Sequence, residues 1–157
     1  MKIAIVTGAS SGLGKEFVKQ IEHLYKELDE IWVIARRRER LEELKSCMFT
    51  NVRILEGNLC EQNIYQELKS SLERKRAGYP YACECEQDLV KLGKVKKLSA
   101  EDQLDMIELN CKALTHMTKI LYSIYDKRKQ NCERCLGGSI LPAAVFQCLC
   151  SYKILCA

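Results

Sequence analysis

The sequence predicts an α/β fold, a doubly wound parallel sheet that is incomplete on its C-terminal side. Three short apolar runs, at 3–6, 31–35 and 52–55, have the length and β-branched content of buried strands. Longer segments of helical character separate these runs. Because right-handed strand–helix–strand units place parallel strands side by side, this alternation predicts a sheet with helices on both faces.

The predicted elements follow one another at regular spacing through residue 75. They are strand 3–6, helix 15–28, strand 31–35, helix 38–47, strand 52–55 and helix 64–74. Ligands of such sheets bind at the carboxyl ends of the strands. Gly8, Arg36 and Asn58 each follow one of the three strands, so we expect them to converge on one site.

Length, charge and cysteine content limit the classes of protein to which this chain can belong. The 157 residues, 47% of them hydrophobic, fit a single domain over residues 1–157. No secretory signal follows Met1, so the ten cysteines are expected in a reducing, cytoplasmic compartment rather than in disulfides. The net charge of +4 comes without a basic stripe, which argues against nucleic acid as a partner.

The segment Thr7-Gly8-Ala9-Ser10-Ser11-Gly12-Leu13-Gly14 carries the strongest functional signal. Glycines between a strand and a helix let the backbone turn sharply and present its amides, and the positive helix end, to a phosphate. The pattern is not the ATPase or GTPase loop, because Glu16 follows Gly14-Lys15, and it is not G-x-G-x-x-G either. The favoured ligand is a diphosphate, and the alternative is a turn without a ligand. The candidate residues are Thr7, Gly8, Ser10, Ser11, Gly12, Leu13 and Gly14.

The glycine spacing, opened by Thr7, resembles the T-G-x-x-x-G-x-G motif of the short-chain dehydrogenase/reductase family. The resemblance extends well over residues 1–75, fairly over 99–125 and poorly beyond. It implies a Rossmann-type fold and hydride transfer between a nicotinamide cofactor and a small-molecule carbonyl or alcohol substrate.

Two segments after the predicted strands indicate which nicotinamide cofactor binds. Arg36 and Arg37 stand where an NAD-preferring site usually has an acid, and a guanidinium suits the 2′-phosphate of NADP. NADP is therefore favoured over NAD, although residues 36–40 would also suit a solvated helix start. By the resemblance, Asn58 and Leu59 hold the adenine, with Asn58 in place of the family's usual Asp.

One member of the family's Asn-Ser-Tyr-Lys catalytic set is present. Asn110 matches the helix asparagine that holds a water in the proton relay, unless it is simply a polar helix residue. The pairs Tyr65/Lys69 and Tyr125/Lys129 have the Tyr-x-x-x-Lys spacing. Both pairs precede the predicted fifth strand at 138–141, so they are interpreted as exposed i, i+4 pairs on helices.

The serine of that set is also missing, since residues 142–147 contain none. The sequence therefore predicts a truncated or degraded member of the family, inactive as it stands, that keeps the NADP-binding half and lacks the proton-transfer half. Segments 76–98 and 126–157 diverge most, and residues 88–90 run into Lys91-Leu92-Gly93 where the family's fourth strand leads into Asn-Asn-Ala-Gly.

Cysteines are concentrated in the divergent segments, which keeps other interpretations open. They stand at Cys83, Cys85, Cys132, Cys135, Cys148, Cys150 and Cys156. Zinc binding is one explanation, although only Cys132 and Cys135 have a usable spacing, and a shifted reading frame or a decayed gene is another. Residues 135–152 carry no charge, but Pro142, Gln147 and two glycines favour a buried strand plus loop over a membrane anchor. The alternative function is a non-catalytic, cysteine-rich metal-binding or interaction protein.

The helix predicted over 99–125 begins with a capping-box pattern at Ser99 and has two apolar faces. One face contains Leu104, Ile107, Cys111, Leu114, Thr118 and Leu121, and the other contains Met106, Ala113, Met117, Ile120 and Ile124. Either the helix packs on the sheet and on a partner subunit, giving a homo-oligomer, or the two faces form one broad core face.

Overall fold

The structure is a computed structural model that describes residues 1–75, 81–84 and 99–131, with side chains for residues 1–75 and 99–123. Its elements are β1 (Ile3–Thr7), α1 (Gly12–Leu24), β2 (Glu30–Ala35), α2 (Arg38–Ser46), β3 (Asn51–Glu56), α3 (Gln62–Arg74), β4 (Tyr81–Glu84), α4 (Ala100–Ile107), a π-helical segment (Glu108–Ala113) and α5 (Leu114–Asn131). The predicted alternation through residue 75 is confirmed, with shifted helix and strand ends.

The four strands form one parallel sheet in the order β3-β2-β1-β4. The chain moves outward from β1 to β3 and then returns to the other side of β1, which is the strand order of a doubly wound sheet. Ile5 is thereby paired with Trp32 on β2 and with Ala82 on β4. The predicted α/β class and doubly wound parallel topology are confirmed.

The fourth strand lies earlier than the sequence indicated. Residues 88–90 were expected near the fourth strand, but the strand that pairs with β1 is Tyr81–Glu84, and residues 85–98 lie outside the described residues. The apolar run in Tyr81–Glu84 is only three residues long and contains no β-branched residue, so the strand depends on its ladder with β1.

Alternating strand residues build a core on each face of the sheet. On one face, Ile5, Trp32 and Ile34 pack with α3 and α5. On the other face, Val6 and Val33 pack with α1 and α2. Every residue of β1 and β2 is buried, as expected for the central strands of a parallel sheet that is covered on both sides.

The long helical region starts as predicted and then departs from regular α-helix. Ser99 Oγ accepts a hydrogen bond from the backbone N–H of Asp102 at 3.0 Å, which caps α4. The buried stripe consists of Ala113, Met117 and Leu121, which the sequence had divided between two faces. These three residues come from both predicted faces, because residues four apart lie on the same side of a helix. The single broad core face that the sequence left as an alternative accounts for this stripe.

Candidate cofactor site

A cavity of about 390 Å³ opens at the carboxyl ends of β1, β2 and β3. Parallel strands place their carboxyl ends on the same edge of the sheet, so three loops that are distant in sequence meet there. One wall comes from the turn after β1, one from the end of β2 and the residues that follow it, one from the loop after β3, and the last from α4 and the π-helical segment.

The glycine turn has the backbone conformation that its composition predicts. Gly8 has φ 64° and Gly12 has φ 55°, a region that residues with a Cβ rarely adopt. Ser11 is the N-cap residue of α1 but makes no capping hydrogen bond with its side chain. The turn therefore leads directly into the positive end of α1, beside the cavity.

Gly14 is needed for packing between α1 and the turn. A Cβ at this position would lie 2.4 Å from the carbonyl oxygen of Gly8 and 2.7 Å from its carbon. Both are backbone atoms, so they cannot give way as a flexible side chain would. Gly14 therefore sets how closely α1 approaches the end of β1.

The candidate residues of the turn divide into two groups. Gly8, Ser10 and Ser11 line the cavity, whereas Thr7, Gly12, Leu13 and Gly14 lie outside its lining. Thr7 is completely buried, and its Oγ1 has no hydrogen-bond partner among the described residues. Leu13 is 76% exposed.

Arg37 links the end of β2 to the glycine turn. Its guanidinium donates hydrogen bonds to Ser11 Oγ at 3.1 Å and to Ser10 Oγ at 3.4 Å. Arg36 also lines the cavity, and its exposed side chain makes no hydrogen bond or ion pair with any residue of the described part of the chain. Two positive charges thus border the cavity, one fixed against the turn and one free to move.

The loop after β3 is held by its own hydrogen bonds. Asn58 Oδ1 accepts from the backbone N–H of Cys60 at 3.1 Å, and the Asn58 carbonyl accepts from the N–H of Glu61 at 2.9 Å. Gly57 donates to the Ala35 carbonyl at 3.1 Å, and a Cβ on Gly57 would lie 2.7 Å from Ile64 Cδ1. These contacts bring Asn58 and Leu59 to the cavity wall.

Tyr65 corrects one sequence interpretation. The tyrosine was expected to be exposed, but it is 6% exposed, and its hydroxyl donates to the Leu59 carbonyl. Its ring packs edge-on against His116 of α5, with 4.7 Å between ring centroids. Tyr65 therefore fixes the loop after β3 from within the core, while Lys69 is exposed as predicted. The side chains of Tyr125 and Lys129 lie outside the described residues.

The last wall is acidic, and sequence reasoning missed it. Asp105, Glu108 and Leu109 line the cavity. Glu108 Oε1 lies 2.6 Å from Lys112 Nζ, and the hydrogen bond and charge of Glu108 raise the pKa of Lys112. The spacing of residues 105, 108, 109 and 112 predicts that they lie on one side of a helix. Nothing in the local sequence indicated that this side lines a cavity.

Gly57 and Cys60 also line the cavity and were not singled out from the sequence. Both flank Asn58 and Leu59, so the prediction for that pair could have been extended to the whole loop.

Asn110 lies in the π-helical segment, next to the cavity-lining Leu109. Its Oδ1 is buried without a hydrogen-bond partner among the described residues, and Asn110 itself is not part of the cavity wall. A buried acceptor left unpaired and a π-helical turn are both features that occur frequently at functional sites.

Two other classes of site have no support in the described part of the chain. Residues 1–75, 81–84 and 99–131 contain no group of three or more residues that could hold a metal ion. The side chains of Cys83 and of the cysteines at 85, 132, 135, 148, 150 and 156 lie outside the described residues. The predicted fifth strand at 138–141 and residues 142–147 also lie outside them. None of the described helices combines the length and the apolar character that crossing a membrane requires.

No family model and no curated protein matches the sequence. Solved structures do match the fold. A short-chain dehydrogenase/reductase from Saccharomyces cerevisiae superposes with a TM-score of 0.75 at 17% identity, over 98% of this chain and 63% of that one. The L-sorbose reductase from Gluconobacter frateurii, complexed with NADPH and L-sorbose, gives 0.68 at 20% identity, over 81% and 48%.

A short-chain dehydrogenase from Sphingobium yanoikuyae, in complex with NADPH, gives a TM-score of 0.60 at 23% identity, over 82% of this chain and 48% of that one. The order of strands and the glycine turn after β1 define a doubly wound α/β protein. Within that class, the chain has the short-chain dehydrogenase/reductase fold. It spans about half the length of the solved structures it matches.

Proposed function

We propose that this chain binds NADP(H) in the cavity at the carboxyl ends of β1, β2 and β3. The parent reaction is hydride transfer between NADP(H) and a small-molecule carbonyl or alcohol. The observation that carries the proposal is Arg37, whose guanidinium is held by Ser10 and Ser11 of the glycine turn at the cavity edge.

The residues present fit such a cofactor. Gly8 and Gly12 have no Cβ, so they can adopt the positive φ values of the turn and leave it open to a diphosphate. The start of α1 favours negative charge. Gly14 holds α1 close to the turn, so its role in binding is indirect. We assign Thr7, Gly8, Ser10, Ser11, Gly12, Leu13 and Gly14 to the diphosphate part of the site.

Arg36 and Arg37 form the part of the site that distinguishes NADP from NAD. A guanidinium offers a planar set of charge-assisted hydrogen bonds to phosphate oxygens, and neither arginine is neutralised by an ion pair within the described residues. The structures of two short-chain dehydrogenases/reductases with this fold contain NADPH. Asn58 and Leu59 complete the site at the adenine end.

When bound, the nicotinamide cofactor supplies the hydride donor or acceptor. Asn110 is proposed to hold a water through its buried and unpartnered Oδ1. Proton transfer to a carbonyl needs a positioned acid, and the tyrosine that the resemblance requires is absent from its expected place. We therefore propose that the 157-residue chain binds NADP(H) without turning over a substrate.

The test is a comparison of NADPH and NADH by fluorescence titration of the purified chain. NADPH is expected to bind more tightly, and Arg36→Asp is expected to reverse the order, because an acid at this position repels the 2′-phosphate. Arg40→Asp is the matched control, since it makes the same charge change on an exposed residue of α2 that does not line the cavity. Equal affinity for both cofactors in the unmodified chain would rule out the arginine assignment.

We also propose that the chain forms a homo-oligomer through α4 and α5. Leu104 and Ile107 on α4 and Tyr122 on α5 are each more than half exposed. Exposed apolar side chains along one helical region favour association. Sedimentation equilibrium should show a dimer or larger species, and a monodisperse monomer would contradict the proposal.

A further inference from the structure

At the adenine end of the cavity, two candidate acceptors are partly used within the chain. Asn58 Oδ1, which by the resemblance accepts a hydrogen bond from the exocyclic amine of adenine, accepts from the N–H of Cys60 at 3.1 Å, within its own loop. The neighbouring Leu59 carbonyl accepts from Tyr65. Each oxygen has two lone pairs, so one lone pair of each is used before a ligand binds.

The facing wall carries an acceptor without a partner. Asp105 lines the same cavity as Asn58 and Leu59, and its carboxylate makes no hydrogen bond or ion pair with any residue that the structure describes. Glu108, one turn further along, is bound to Lys112 at 2.6 Å and is therefore neutralised. Asp105 is thus the acid of this wall that is left available to a ligand.

The charge of Asp105 limits which group of the ligand its carboxylate can bind. A carboxylate repels phosphate groups, for which two arginines of the cavity lining, Arg36 and Arg37, are available. The base carries no charge, and its exocyclic amine is a hydrogen-bond donor. A carboxylate is an acceptor only, so it matches that amine and not an acceptor at the same position.

Resting on the proposed NADP(H) site, we infer that Asp105 recognises the exocyclic amine of the adenine and makes the site selective for adenine over hypoxanthine. Asn58 then holds the loop in shape, and the charged Asp105 carboxylate, which has no partner among the described residues, is the stronger acceptor for the amine. Selectivity comes from α4, although the phosphates and the rest of the base are held by the loops after β1, β2 and β3.

The test uses calorimetric titration of the full chain with NADPH and with its hypoxanthine analogue, in which a carbonyl oxygen replaces the amine. The unmodified chain is expected to bind NADPH about tenfold more tightly, because the analogue places an acceptor against the carboxylate. Asp105→Asn should bring the two affinities to within about twofold, since an amide can donate as well as accept.

Glu101→Gln is the matched control, because Glu101 is exposed in the first turn of α4 and does not line the cavity. It should retain the tenfold preference. Thermal melts of both variants verify that they are folded. Tight NADPH binding with an unchanged preference in Asp105→Asn would overturn this inference alone, whereas failure of the unmodified chain to bind NADPH would overturn the proposed function and this inference with it.

Discussion

The charged residues at the two ends of strand β2 differ in whether they have partners within the chain. At the amino end, Glu30 is buried and accepts hydrogen bonds from Lys75 at 2.7 Å and from the Trp32 indole at 2.8 Å. At the carboxyl end, Arg36 is exposed without a partner in the described residues, and Arg37 reaches only the hydroxyls of two serines. One end satisfies its charge internally, and the other leaves charge available.

The pKa of Glu30 reflects this difference. Burial by itself would raise the pKa of the carboxyl, but hydrogen bonds from Lys75 and Trp32 and the charges of Lys75 and Arg53 outweigh that effect and lower it from its ordinary value of 4.5. Arg53 is in turn fixed over the Trp32 ring at 4.9 Å and donates to Ser71. The comparison indicates that paired charges at the amino end stabilise the sheet, while the arginines at the carboxyl end have no acidic partner among the described residues.

The largest effect is expected from Gly14→Ala at the carboxyl end. The added methyl group would lie 2.4 Å from the Gly8 carbonyl oxygen, so α1 or the turn must move. We expect a loss of about 3 kcal/mol of stability, a fall in Tm of roughly 10 °C, and loss of NADPH binding. Differential scanning fluorimetry and titration measure both. Leu24→Ala, at an exposed residue in the last turn of α1 that does not line the cavity, should change neither, and normal binding by Gly14→Ala would remove the glycine turn from the site.

Next comes Arg37→Ala, which removes the arginine that joins β2 to the turn. Affinity for NADPH should fall about 10- to 100-fold, the usual range for a lost hydrogen bond to a charged group. NADH affinity should stay within about twofold, because NADH has no 2′-phosphate. An equal loss for both cofactors would mean that Arg37 shapes the turn through Ser10 and Ser11 and does not select the phosphate.

At the amino end, Glu30→Gln should cost about 1–3 kcal/mol at pH 7 without changing cofactor affinity. Because folding lowers the pKa of Glu30, its contribution is present above pH 4.5 and is lost as the pH falls through the lowered value. Urea unfolding at pH 7 and near pH 3 should therefore show the difference from the unmodified chain shrinking in acid.

Glu56→Gln is the control for Glu30→Gln. Glu56 forms a half-exposed ion pair with Arg38 at 3.6 Å, so its replacement should cost less than about 1 kcal/mol. If Glu56→Gln destabilises the chain as much as Glu30→Gln, the contrast between the two ends is wrong.

The smallest effect is expected from Tyr65→Phe. It removes the hydrogen bond to the Leu59 carbonyl and should cost about 1 kcal/mol, while Lys69→Ala should be neutral. Neither variant should alter NADPH oxidation, which we expect to be undetectable with aldehydes, ketones and steroids. Oxidation that disappears in both variants would identify Tyr65 and Lys69 as a catalytic pair.

Much of the fold follows from local patterns. The apolar runs that became β1 and β2 are buried on both faces, and the glycines at positions 8 and 12 have the positive φ that a sharp turn requires. The strand order also follows, because right-handed crossovers leave few alternatives. Features that depend on local sequence, such as the strands and the conformation of Gly8 and Gly12, could therefore be predicted.

The other features of the fold and of the candidate site depend on contacts between residues that are distant in sequence. Tyr81–Glu84 is a strand because β1 offers it an open edge, and Tyr65 is buried because α5 covers it. Asn58 and Asp105 both line a cavity that four separate segments enclose, and they differ because only Asn58 accepts a hydrogen bond within its own loop. The sequence by itself determined the conformation of the glycine turn after β1, since backbone conformation is local. The tertiary structure alone decided which polar side chains have no partner at the cavity, since hydrogen bonding depends on which residues folding brings together.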